Sequence, residues 1–269
     1  DSNGKLDKLQ DKRVAIIGTG ATAVQCIPHL GHSSKELLVF QRTPSPVDVR
    51  NNTETDPDWI SKQKDGWQQE RVNNFEKLLA GGMVKEDMVK DGWTEMVRMF
   101  VNSLKTKAPS KSQIFSWSLK GFLKKEFYTK GPKAYLYAKA AETIDFAHEM
   151  QMANYQKMEQ IRARAQNIVK DAQTAESLKP YYNQMCKRPC FHDEYLQTFN
   201  LPNVKLIDTD GKGVEEITEK GIIFNGKEYE VDCIIFATGF EVGTGFSRQA
   251  GYEINGVQDI TLTEKFKEG

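Results

Sequence analysis

Gly18-Thr19-Gly20-Ala21-Thr22-Ala23 spells GxGxxA between the apolar run Arg13-Val14-Ala15-Ile16-Ile17 and a helix-forming stretch from Ala21 to Leu30. A strand before the motif and a helix after it give such a turn chemical meaning. The first glycine permits a tight turn, the second lets a pyrophosphate approach the backbone, and the small third residue lets helix and strand pack closely. Free N–H groups and the positive end of the helix dipole then meet the phosphates. The bland alternative is a glycine turn with no ligand; the strand–turn–helix context favours dinucleotide binding by Gly18, Thr19, Gly20, Ala21 and Thr22.

The end of the next strand, Glu36-Leu37-Leu38-Val39-Phe40, decides which dinucleotide is expected. NAD sites usually place a carboxylate there for the ribose 2′-hydroxyl. This chain has Phe40-Gln41-Arg42-Thr43. An Arg42 guanidinium can hold a 2′-phosphate through charge-assisted, bidentate hydrogen bonds, which a carboxylate would repel. NADP(H) is therefore expected over NAD(H). Two further runs bear chemistry: Gln184-Met185-Cys186-Lys187-Arg188-Pro189, with adjacent cations before a proline, and Phe236-Ala237-Thr238-Gly239-Phe240, a buried strand running into a glycine turn.

The elements that position these residues fall into three zones. Strand, helix and strand within about 30 residues are the βαβ signature of a parallel sheet. Pro28 is expected to make the last turn of the first helix irregular. From about Pro44 to Tyr182 the pattern is polar and helical, with expected helices over 59–79, 85–104 and 132–175 and an apolar stripe at Ala134, Ala138, Ala141, Ile144 and Ala147. The aromatic residues there, Trp67, Trp93 and Trp117 among them, are read as core. Strands return at 203–208, 221–224, 227–231 and 233–239, and Asn225-Gly226 between the second and third is a hairpin signal. The expected fold is α/β: a Rossmann-like dinucleotide-binding core, parallel sheet plus hairpin, interrupted by a large helical insertion. Its parts are 1–50, the insertion 51–182, and 183–269.

Lys plus Arg equals Asp plus Glu, 37 each, so the formal net charge is zero and nothing global points to nucleic acid. No apolar run approaches the roughly 20 residues that span a bilayer. The four cysteines make no disulfide framework, and Cys186 and Cys190, at C-x3-C, fit neither zinc-ribbon nor redox spacing. Free thiols and a cytoplasmic location are expected. The histidines, at 29, 32, 148 and 192, have no partners at ligand spacing, so no metal is expected. Asn51-Asn52-Thr53 matches a glycosylation acceptor, with nothing else to suggest secretion.

Taken together, VAIIGTGATAVQ at 14–25, VFQRTP at 39–44, CKRP at 186–189 and the Ala237-Thr238-Gly239 turn resemble Baeyer–Villiger monooxygenases, class B flavoproteins in which an NADPH domain is inserted into an FAD domain. The combination of VFQRTP with CKRP is the specific part. The resemblance implies that Gly18 to Thr22 hold the pyrophosphate and that Gln25 lies near the nicotinamide half. Arg42, Thr43 and Lys187 would hold the 2′-phosphate. Arg188 would be the active-site arginine facing the flavin, where a fixed guanidinium stabilises developing negative charge. Ala237, Thr238 and Gly239 would sit at the junction with the FAD domain. The implied reaction is oxygenation of a ketone to an ester or lactone with NADPH, FAD and O2. The family's FAD-binding GxGxxG and its fingerprint ahead of the NADPH domain are not in this sequence. The chain is therefore expected to be an excised domain, a fragment or a truncated product, inactive alone. An N- or S-oxygenating relative and a stand-alone NADPH-binding protein are the alternatives.

Overall fold

The computed structural model describes residues 6–82, 84–105, 146–240 and 244–267. They divide into two compact units, Asp1–Ala237 and Thr238–Gly269.

In the first unit, strands β1 (Arg13–Ile17) and β2 (Glu36–Gln41) pair in parallel, Ile17 beside Phe40. β5 (Val204–Asp208) adds to β2 and β9 (Cys233–Phe236) to β1, giving a parallel sheet in the order β5-β2-β1-β9. β1 and β2 are buried almost throughout, as parallel strands covered on both faces must be. Alternation sorts their side chains. Val14, Ile16, Leu37 and Val39 join the core under helix α1 (Ala21–Ser33), together with Ala23, Val24 and Ile27. Ala15, Ile17, Leu38 and Phe40 face a second core with Ile222.

That second core is closed by an antiparallel sheet of β6 (Glu216–Ile217), β7 (Gly221–Phe224) and β8 (Lys227–Glu230). Tyr229 meets Phe40 edge-on, ring centroids 5.5 Å apart. Asn225 and Gly226, with φ of 51° and 68°, make the expected tight hairpin turn. At the other end of the sheet, the Arg13 guanidinium bridges Asp232 and Glu230 and holds the Asp232 carboxyl down to about 2.

Helix α1 runs straight through Pro28 to Ser33, further than expected. Proline removes the donor that would serve the Val24 carbonyl and crowds that carbonyl with its ring. Beyond it Leu30 and Gly31 are buried, and the Asn203 side-chain amide donates to the carbonyls of Gly31 and Ser34. Gly31 is required, because a Cβ there would lie 2.7 Å from the Thr198 methyl.

The helical zone is more broken than its periodicity predicts. The expected helix over 59–79 splits into α2 (Pro57–Ser61) and α3 (Trp67–Leu79), because Gly66 at φ 85° turns the chain between them. α4 (Gly92–Lys105) starts late, where the Asp91 carboxylate accepts the N–H groups of Trp93 and Thr94. α5 (Phe146–Ile168) is followed by α6 (Ala172–Ser177), capped by Asp171. The start of the expected 132–175 helix, Trp117, and the stripe from Ala134 to Ile144 lie outside the described residues. A parallel pair that the sequence does not announce, β3 (Val47–Asp48) with β4 (Cys190–Phe191), ties the two sides of this zone together. α7 (Tyr195–Thr198) then packs against α1, its Tyr195 and Leu196 buried in the core with Ile27 and Leu30.

The second unit holds α8 (Phe246–Ala250) and α9 (Leu262–Lys265), the latter opened by a capping box between Thr261 and Glu264. All four cysteines are free. No helix among the described residues is long and apolar enough to cross a membrane, and no group of His, Cys, Asp and Glu among them could hold a metal ion.

Candidate functional site

The glycine turn leaves β1 at its carboxyl end. Gly18 takes φ 112°, a value that requires glycine, and its N–H donates to the Phe40 carbonyl at 2.9 Å. Gly20 is the N-cap of α1 at φ −77°, an ordinary value, and a Cβ placed on it would meet nothing within 4 Å. No contact or conformation within the protein therefore demands glycine at position 20. The space beside Gly20, at the N-terminus of α1, is open.

Thr19 is buried, and its hydroxyl donates to the Thr43 carbonyl at 2.9 Å, tying the turn to the end of β2. Strand alternation continues through that end. Gln41 is fully buried, its amide donating to the Ser177 carbonyl at 2.7 Å and reaching Asp208 at 3.4 Å, while Arg42 is exposed. Lys187 arrives from the other side of the helical zone. Its Nζ lies 3.5 Å from the Thr43 carbonyl and 5.6 Å from the centre of the Tyr182 ring, whose hydroxyl donates to the Pro44 carbonyl. Burial, and then the charge of Arg42, push the Lys187 ammonium below the usual lysine range. Arg42, Thr43 and Lys187, 144 residues apart at the extremes of the Thr43–Lys187 contact, are thus brought together. No carboxylate among the described residues pairs with Arg42, Lys187 or Arg188. Among the described residues these like charges lie near one another without a carboxylate partner, and such a pair raises the local positive potential.

A cavity of about 770 Å³ opens beside the turn. Ala21, Thr22 and Gln25 of α1 line one wall and Arg188 another, so these four expected residues share one space. The Gln25 amide donates to the Ala21 carbonyl at 3.1 Å. Ala237 is buried at the end of β9, its N–H bonded to the Ile17 carbonyl next to the glycine turn. Thr238 and Gly239, the latter at φ 92°, open the second unit.

The far wall contains residues that sequence reasoning missed: Arg50, Asn52, Phe191, His192, Asp193 and Glu194. Trp93, expected in a core, does pack on Phe191 with ring centroids 4.7 Å apart, but it lines this cavity as well. Asp193 builds the wall. Burial pushes its carboxyl up, but the N–H groups of Asn52, Asn51 and Arg50, at 2.9–3.0 Å, outweigh that and hold it below the usual carboxylate range. His192 accepts the Glu194 N–H on Nδ1 at 3.0 Å, and burial pushes its imidazole down, toward the neutral form. Behind the wall, α5 supplies two cations, Lys157 buried and Arg164 half-buried. Lys157 pairs with Asp48, and Arg164 donates to the carbonyls of Val47 and His192 at 3.1 and 3.0 Å.

No protein-family model matches the chain. It is 47% identical over 270 residues to a Baeyer–Villiger monooxygenase of Stachybotrys chlorohalonatus, covering all of this chain and 38% of that protein. It is 45% identical over 271 residues to neopentalenolactone D synthase of Streptomyces avermitilis, again over the full chain and 41% of the relative. The chain spans about two fifths of the length of these curated relatives. Among solved structures, the polycyclic ketone monooxygenase of Thermothelomyces thermophila aligns with a TM-score of 0.70 at 38% identity, over 97% of this chain and 39% of that one. A form of OTEMO in complex with FAD and NADP aligns at 0.62 and 26%, over 100% and 46%.

Proposed function

From the premise that the chain is homologous along its whole length to a segment of Baeyer–Villiger monooxygenases, we propose that it is the NADPH-binding part of a flavin-dependent enzyme that oxidises ketones to esters or lactones with NADPH and O2. The observation that carries this reading is the convergence of Arg42, Thr43 and Lys187 beside a glycine turn with an open cradle. The free N–H groups at the start of α1 bind the pyrophosphate. Arg42 and Lys187 bind the 2′-phosphate, and the end of β2 carries the buried amide of Gln41 rather than a carboxylate. Gln25 orients the nicotinamide half within the cavity. Arg188, on the same cavity and without a carboxylate partner among the described residues, fits a group that becomes negative during reaction. The flavin, when bound, supplies the activation of oxygen. The stretch Ala237-Thr238-Gly239 carries the chain from the NADPH-binding part toward the flavin-binding part.

Gly20→Val tests the cradle. A Cβ at position 20 meets no protein atom within 4 Å, so the unfolding temperature is expected to stay within about 2 °C of the parent. The added methyl groups occupy the path of the pyrophosphate, and calorimetric affinity for NADP⁺ is expected to fall at least about tenfold, 1.4 kcal/mol. Undiminished NADP⁺ binding by a folded Gly20→Val protein would show that the phosphates lie elsewhere.

A further inference from the structure

Helix α5 runs beside the segment that carries Lys187 and Arg188 and fastens it at intervals. Arg162 donates to the Pro180 carbonyl at 2.8 Å, and Arg164 reaches the His192 carbonyl at 3.0 Å. Beyond the end of α5, Asn200 joins the Ile168 carbonyl to the Lys170 N–H. The contact nearest the two cations is Asn154. This side chain is 6% exposed, and a buried amide is costly unless both ends are bonded. Both ends go to one turn: Oδ1 accepts the Gln184 N–H at 2.6 Å, and Nδ2 donates to Asn183 Oδ1 at 2.9 Å.

The turn so gripped is strained. Met185 takes φ 73°, a left-handed conformation disfavoured for any residue with a Cβ, and its side chain is exposed, so no burial compensates. The turn leads directly into Lys187 and Arg188, and Lys187 already feels the repulsion of Arg42. Strain and like charge both act to open it. Opposing them are Asn154, the burial of Gln184, whose amide donates to the Met96 sulfur at 3.2 Å, and the bond from the Cys186 N–H to the Asn183 carbonyl.

We propose that Asn154 is a positioning residue for nucleotide selectivity: it holds the 183–186 turn in its strained conformation, so that Lys187 stays beside Thr43 and Arg42. This rests on the reading of Arg42, Thr43 and Lys187 as the 2′-phosphate seat. A contact that only stabilised the fold would lower the unfolding temperature without changing how folded protein discriminates NADP⁺ from NAD⁺. A positioning contact changes the discrimination itself.

The test is calorimetric titration of this chain with NADP⁺ and with NAD⁺, well below the unfolding temperature, for the parent, Asn154→Ala, Arg42→Ala and Lys187→Ala. The expected result is a loss of at least fivefold in the NADP⁺ to NAD⁺ affinity ratio for Asn154→Ala, with NAD⁺ affinity within twofold of the parent. If Asn154→Ala does not fold, Asn154→Gln decides. It keeps both hydrogen-bonding groups on an arm one methylene longer, and a threefold or greater loss of the ratio is expected as the turn is displaced. A ratio within twofold of the parent, in whichever of the two variants folds, overturns the proposal while Arg42→Ala and Lys187→Ala still collapse it. If those two leave the ratio unchanged, the 2′-phosphate reading fails and this inference falls with it.

Discussion

Alanine at Arg42 or at Lys187 is expected to cut NADP⁺ affinity at least about tenfold and to leave NAD⁺ binding within about twofold. Each side chain offers a charge-assisted hydrogen bond to the 2′-phosphate, worth about 1.5–3 kcal/mol, and NAD⁺ has no group there to lose. The pair is also preassembled. Lys187 is half-buried beside Thr43 and over the Tyr182 ring, so little ordering opposes binding. Because the two cations repel one another before the phosphate arrives, each single variant relieves the other, and the double variant is expected to cost less than the sum of the two. Titration calorimetry of the four proteins with both nucleotides measures this. Equal losses for NADP⁺ and NAD⁺ would instead assign these side chains to the pyrophosphate.

The same pair sets a pH dependence. Burial and the Arg42 charge place the Lys187 ammonium below the usual lysine range. Its positive charge is lost as pH rises through that lowered value. A bound 2′-phosphate favours the charged form, so binding takes up protons on the alkaline side. Preference for NADP⁺ should therefore decline as pH rises on the alkaline side, and sooner than an ordinary lysine would make it. On the acid side it should decline below about pH 6, where the phosphate takes a second proton. Lys187→Arg is expected to keep the preference and remove the alkaline decline, because arginine does not deprotonate there. Arg42→Ala is expected to move the decline to higher pH, because the neighbouring positive charge is gone. An alkaline limb that is identical in the parent and in Lys187→Arg would assign the titration to another group.

The parts of the site that rest on local pattern were legible in the sequence, and those that rest on distant contacts were not. β1, the glycine turn and β2 are read from consecutive residues whose burial and conformation follow from strand alternation and from the φ of Gly18. Alternation also explains why Gln41 turns inward and Arg42 outward, although only the structure shows that the buried amide reaches Ser177. The Asn225-Gly226 hairpin needed no long-range information either. The β3–β4 pair is two residues long on each side and joins positions 47–48 to 190–191, too short for any period to show. Lys157 and Asn154 lie on a helix whose composition reads as solvated, yet both are buried, because their polar ends meet Asp48 and the 183–184 turn. Asp193 looks like any loop acid. Its work, gathering three N–H groups from 50–52, exists only once the two segments are side by side.

Arg188→Ala, in an FAD-loaded protein that contains this chain, is expected to lower the rate of ester or lactone formation from a ketone by about 100-fold or more, the usual cost of deleting a fixed donor to developing negative charge. NADP⁺ affinity should change far less, about threefold at most, because the proposed nucleotide-binding cations are Arg42 and Lys187. Two features of the wall support this separation. Arg188 lines the cavity with Gln25, while its neighbour Lys187 turns to Thr43, so adjacent cations in one turn serve different spaces. And Pro189, which follows directly, lines the cavity at the start of a segment fixed on β3 by the bond from the Cys190 N–H to the Pro46 carbonyl and on α5 by the Arg164 bond to His192. That fixation lets a guanidinium act at a set position rather than wander on a surface loop. Arg188→Lys keeps a charge but not the planar fork, and it is expected to recover only part of the rate. Product formation and NADPH consumption, measured side by side, read the two roles apart. Loss of oxygenation with continued NADPH consumption fits a residue acting after the nucleotide has done its work. Equal loss of both would move Arg188 to the hydride-transfer half of the reaction.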